Sequence, residues 1–168
     1  MAELVNRVSE SGIITIDLES FYPKEEIIDF DLKDYLFMGL ILKEKDFRES
    51  LKNLDLSAFT DKTVAVFCSA DAIIPMWAYM LVSAKLQPVC KDVVLGRRED
   101  VISKLIIRNM QALRSQDYSE KRIVLKGCGD LPIPAEAYLE ATNILRPVAK
   151  SIMFGEPCST VPVYKKKD

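Results

Sequence analysis

Three of the four cysteines stand in short polar strings. These are Cys68-Ser69-Ala70-Asp71, Gly127-Cys128-Gly129-Asp130 and Glu156-Pro157-Cys158-Ser159-Thr160. Thiolates bind zinc and iron–sulfur clusters, and carboxylates can complete the shell. If the fold gathers them, Cys68, Cys128 and Cys158 form a metal or iron–sulfur ligand set with Asp71, Asp130 or Glu156. The chain has no CxxC pair, so such a set depends on convergence in space. A second chemistry needs one thiol only, as a nucleophile or sulfur carrier, its pKa lowered by a helix N-terminus. Cys128, between two glycines, is the most accessible candidate, and the amides of Gly127 and Gly129 could also cradle an anion. Packing is the third reading, since free cysteine is among the most buried residue types. Asp71 and Asp130 would then satisfy loop N–H groups as Asx-turns. Ser69, Ser159 and Thr160 would be either caps or ligand-binding hydroxyls. Cys90, after Pro88-Val89, reads as a small buried hydrophobe.

Several chemistries are excluded outright. The 168 residues contain no histidine, which removes Ser-His-Asp and Cys-His catalysis and every imidazole zinc site. Net charge is −2, so no basic excess points to nucleic acid or an anionic membrane surface. The end, Lys165-Lys166-Lys167, reads as a solvated tail. The start lacks a basic region followed by an apolar run, the pattern of a secretory signal. No apolar stretch approaches the roughly 20 residues that span a bilayer. The expectation is a soluble cytoplasmic protein whose thiols stay reduced.

The elements that must position these side chains are clearest after Lys62. Thr63 to Cys68 is a continuous β-prone run, as in a strand buried on both faces. A loop from Ser69 to Ile74 leads to Pro75, suited to the first turn of a helix that ends near Leu86. Val93 to Gly96 is the next strand, followed by the loop residues Arg97 and Arg98 and a helix from Asp100 to Ser115. Before Lys62, Ile13–Leu18 and Ile27–Leu32 read as strands and Lys45–Leu54 as a helix. The apolar run Leu36–Leu42 fits either a strand or a buried helix.

Shifted by 59 positions, residues 62–96 overlie 121–155 without a gap. Eleven of 35 positions are identical, against roughly two or three from average residue usage. They include Asp71 with Asp130, Pro75 with Pro134, Ala78-Tyr79 with Ala137-Tyr138, and Pro88-Val89 with Pro147-Val148. Self-similarity at a fixed offset marks a repeated supersecondary unit. The reading is one α/β domain over 1–168: a mainly parallel sheet from two βαβ repeats joined by a helix, with a β-rich N-terminal extension over 1–61. Ligands of such sheets sit outside the carboxyl ends of the strands. Asp71 and Asp130 would mark matching rims of one crevice there. Trp77, Tyr79 and Tyr138 are expected to pack.

The strings Leu36–Arg48, Cys68–Ile73, Trp77–Met80, Lys126–Cys128 and Ser151–Pro162 resemble those of a bacterial family of uncharacterised proteins, a domain of unknown function. The resemblance covers nearly the whole chain and implies no established activity. It suggests a link to iron–sulfur cluster assembly. The leading expectation is a binding or accessory protein with a Cys/Asp-lined pocket that holds a thiophilic metal, such as zinc or an iron–sulfur species, or sulfur itself. One alternative is a cysteine-dependent enzyme acting on a small anionic substrate. Another is a structural protein working through a homo-oligomer interface.

Overall fold

Residues 12–156 and 158–167 are described by a computed structural model. The chain divides into two compact units, one made of 24–102 and the other of 1–23 with 103–168. By their place along the sequence alone, we call them the inner and the outer unit.

The strands are numbered along the chain. They are β1 (Ile13–Asp17), β2 (Ile27–Asp31), β3 (Thr63–Phe67), β4 (Asp92–Leu95), β5 (Arg122–Lys126), β6 (Ser151–Glu156) and β7 (Ser159–Lys165). The helices are α1 (Glu44–Lys52), α2 (Met76–Leu86), α3 (Arg98–Met110) and α4 (Ala135–Leu145). None of the helices described is long and apolar enough to cross a membrane.

The α/β class and the mainly parallel strand pairing are as expected, but among the described residues the strands form two sheets. The inner unit has a parallel sheet ordered β2-β3-β4. The outer unit has a separate sheet ordered β1-β5-β6-β7, parallel except for the antiparallel β6–β7 pair. The reason lies in residues 13–31, which supply a first strand to each sheet. Ile13 pairs with Arg122 and Ile27 with Thr63, so the two partners are themselves 59 positions apart. Each segment 62–96 and 121–155 thus finds its third strand in the N-terminal region. It need not pair with the other.

The correspondence extends into the turns. Asp61 and Glu120 both adopt left-handed φ, 58° and 57°. Their N–H groups bond Val89 O at 3.1 Å and Val148 O at 2.9 Å. The helical positions match too: Phe47 and Leu51 of α1 are buried, as are Ile106 and Met110 of α3.

In the inner unit, Phe47 packs its ring against Tyr35 and Trp77, with centroids 5.3 and 6.4 Å apart. Phe30 stacks on Tyr35 at 5.2 Å. Burying a side chain like Phe47 contributes about 1.5–3 kcal/mol. Ala78, Val82 and Leu86 form the buried stripe of α2, and Ala137, Ala141 and Leu145 that of α4. Their i, i+4, i+8 spacing keeps one face on the sheet.

The ambiguous run Leu36–Leu42 is neither strand nor helix. Met38 and Gly39 take positive φ, and Phe37 bridges Ile41. Only Leu42 of the run is buried; Phe37, Met38, Leu40 and Ile41 are exposed. The predicted helix over 100–115 begins earlier and ends at Met110. A feature absent from the sequence reading is β7. Residues 159–165 return beside β6 instead of running on as a loop and tail.

Candidate thiol site

The carboxyl ends of β1, β5 and β6 form one edge of the outer unit. Asp17 closes β1, and its Oδ1 accepts the Glu19 N–H at 3.0 Å, capping a short 3-10 turn. Lys126 closes β5 and Glu156 closes β6; Lys126 Nζ lies 3.2 Å from Glu156 Oε1. That pair holds the Lys126 ammonium in its charged form, raising its pKa, and Asp17 and Glu19 add to the effect. Cys128 follows Lys126 by two residues, and Cys158 follows Glu156 by two. Both thiols are exposed and free.

The glycines beside Cys128 are explained by close approaches. A Cβ on Gly127 would collide with the Tyr138 hydroxyl, and one on Gly129 with the Glu19 carboxylate. The Cys128 backbone is therefore flanked by a phenol and an acid. Burial pushes the Tyr138 hydroxyl pKa up, and the neighbouring Cys128, Asp17 and Glu19 push the same way. Tyr138 is itself held edge-on to Phe154 of β6, ring centroids 5.6 Å apart. Glu19 Oε1 is buried without a hydrogen-bond partner.

The inner unit arranges the same edge differently. Cys68 stands where Gly127 does, and Ser69 where Cys128 does. The Cys68 S–H donates weakly to Ala70 O at 3.6 Å, and the thiol is half-buried. Asp31 Oδ1 accepts from the N–H groups of both Lys33 and Ser69, each at 2.9 Å. Although burial acts to raise its pKa, these bonds and one from the Ser69 hydroxyl hold Asp31 below the ordinary carboxylate range. Burial raises the Tyr79 pKa, with Cys68 next in effect. In both units, then, the tyrosine at the matching helix position lies near a strand-end cysteine, although the two cysteines are one position out of register.

The sequence candidates divide between the units. Cys68, Ser69 and Asp71 belong to the inner one; Cys128, Asp130, Glu156, Cys158, Ser159 and Thr160 belong to the outer. Asp71 and Asp130 are exposed. The Asx-type caps are made by other aspartates: Asp17, Asp31 and Asp55. Ser159 and Thr160 open β7, paired with Glu156 and Gly155. Cys90 is half-buried against the inner core, and burial raises its thiol pKa. Among the described residues, no three Cys, Asp or Glu side chains form a group able to hold a metal ion.

Asp17, Glu19, Lys126 and Tyr138 complete the outer edge and were not singled out as site residues in the sequence. A signal for Asp17 exists. Ile13-Ile14-Thr15-Ile16-Asp17-Leu18 matches Ile27-Ile28-Asp29-Phe30-Asp31-Leu32 at an offset of 14.

Fold and site together define an α/β protein of two similarly built units, with exposed thiols on one sheet edge of the outer one. A family described as protein of unknown function, DUF2480, matches residues 2–166, and the chain belongs to it. No match was found among curated proteins or solved structures.

Proposed function

We propose that this chain is a binding or accessory protein that holds a thiophilic species, a soft metal ion or sulfur, on the outer unit's thiol edge. Cys128 is the principal ligand and Cys158 the second. One observation carries the reading. The two exposed thiols follow, by two residues each, the ends of hydrogen-bonded neighbours β5 and β6, and the Lys126–Glu156 pair ties those ends together. Thiolates favour soft metals. Gly127 and Gly129 let Tyr138 and Glu19 pack close against the backbone on either side of Cys128, whose thiol stays exposed. Cys68 is half-buried with its S–H engaged, which suits a supporting role in the other unit. The accessory role fits iron–sulfur cluster assembly, the process that the family resemblance suggests, and a cytoplasmic setting where thiols stay reduced.

The test is metal and sulfane-sulfur analysis of protein purified without oxygen. The wild type is expected to carry one of the two; Cys128→Ala should lose it and Cys158→Ala should lose at least part. Wild type that carries neither, even after incubation with zinc, with ferrous ion and sulfide, or with a polysulfide as the sulfane-sulfur donor, would overturn the reading.

A further inference from the structure

We propose that the outer unit carries a second site, at the amino-terminal edge of its sheet, that binds a small organic phosphate of the phosphomonoester class. Arg122 and Ser151 are the first residues of β5 and β6, and Lys165 lies opposite Ser151 on the antiparallel β7. With Lys150 they line one cleft of about 360 Å3, to which Tyr164 and Met153 also contribute. Small-ligand sites occupy roughly 300–1,000 Å3.

Three cations share this cleft, and among the described residues Arg122, Lys150 and Lys165 form no ion pair. A fourth, Arg146, lies over the Tyr164 ring at 5.0 Å. Such a concentration is notable in a chain of net charge −2. Mutual repulsion opposes it, and a bound dianion would relieve that repulsion. Guanidinium and ammonium groups with a serine hydroxyl are the donors that phosphate oxygens accept from. Met153 and the Tyr164 ring offer an apolar wall for the organic part. The cleft is a single concavity, whereas nucleic acid calls for an extended basic stripe.

The inner unit supplies an internal control. Thr63, fully buried, stands where Arg122 does. Lys91, the counterpart of Lys150, is tied to Glu25 at 3.1 Å. Ser151 is replaced by Asp92, and among the described residues the β2-β3-β4 sheet has no strand corresponding to β7. The scaffold therefore does not demand a cationic edge; the outer unit has acquired one. The site is independent of the thiol reading, since it lies at the opposite ends of the same strands.

Calorimetric titration of the full chain with phenyl phosphate at low salt tests the proposal. Phenyl phosphate should bind, and benzoate, with one charge fewer, should bind more weakly. Arg122→Ala and Lys150→Ala should each weaken binding by about tenfold, the usual scale for one charge-assisted hydrogen bond. Lys52→Ala, on α1, should leave it unchanged, and melting curves should show every variant folded. Three results would overturn the proposal: no binding at millimolar phenyl phosphate, equal loss in Lys52→Ala, or tighter binding of a DNA oligonucleotide through the same residues.

Discussion

The two units start from one plan and finish it differently. Each has a first strand ending in a capping aspartate, then a 3-10 turn and a parallel β-α-β segment with a positive-φ glycine, Gly96 or Gly155, beside the end of its second strand. At the carboxyl edge, the inner unit fills the plan with Cys68, Ser69 and an aspartate bonded to two backbone N–H groups. The outer unit puts Gly127 and Cys128 in those places, and the freed space is taken by Tyr138 and Glu19. At the far strand, the outer unit adds β7 beside β6, whereas the inner sheet stops at β4. The difference teaches that equal backbones do not imply equal sites. Exposed chemistry collects in the unit whose glycines and extra strand depart from the shared plan.

The comparison can be broken at four points. The largest effect is expected in the core. Phe47→Ala should cost about 3–5 kcal/mol in chemical denaturation, because two aromatic neighbours, Tyr35 and Trp77, lose a fully buried ring. Ile106→Ala, at the matching position, removes less volume and should cost less. The reverse order would sink the pairing of α1 with α3.

Next, Gly127→Ala should cost about 1–3 kcal/mol by overpacking against Tyr138, and Tyr138→Phe should recover part of it. The same hydroxyl deletion opposite Cys68, Tyr79→Phe, has no clash to relieve. An uncoupled double-mutant cycle at Gly127 and Tyr138 would refute the close approach.

A smaller effect concerns pH. The folded pKa of Asp31 is depressed, so its stabilisation is fully present above the unfolded value, near pH 4, and is lost as pH falls through the lower folded value. Asparagine caps almost as well as aspartate, so Asp31→Asn should cost about 0.5 kcal/mol or less at neutral pH. It should, however, flatten the acid limb of the stability curve. An unchanged acid limb would show that the Ser69 and Lys33 bonds do not favour the charged form.

The last effect leaves stability untouched. Alkylation of the native protein should modify Cys128 and Cys158 first, Cys68 later and Cys90 last, its thiol being half-buried and its pKa raised. Peptide mapping by mass spectrometry reads the order. Cys68 reacting ahead of Cys128 would reverse the contrast between the units.

Much of this was legible in the sequence, and the gaps have physical causes. The strands at 13–18, 27–32, 63–68 and 93–96 follow from β-prone runs and their punctuation. The helix at 45–54 follows from its spacing. Cys90, expected to be buried, is half-buried against the inner core, as Cys68 is. The sheet arrangement was missed because strands β1 and β2 lie at an offset of 14 while everything after them lies at 59. A single shift cannot reveal both. The run Leu36–Leu42 misled because apolar residues usually mark an element, yet here positive φ at Met38 and Gly39 turns the chain and exposes them. The strand β7 was obscured by Pro162 and the lysines, which a strand tolerates only at an edge. Glu19 and Tyr138 could not be placed from spacing, since their role depends on which glycine backbone they meet in space.

The path of the chain has a consequence for the order in which structure is won during synthesis. Ile27 meets Thr63 roughly 36 positions later, but Ile13 waits roughly 110 for Arg122, and closing the longer loop costs about 1 kcal/mol more in chain entropy. β1 is therefore idle until the roughly 110 residues that separate it from β5 have followed. Through that interval the inner unit can complete itself while β1 stays an unpaired, apolar ribbon (Ile13, Ile14, Ile16). A chaperone that shields such ribbons would find its client in the nascent chain, at β1.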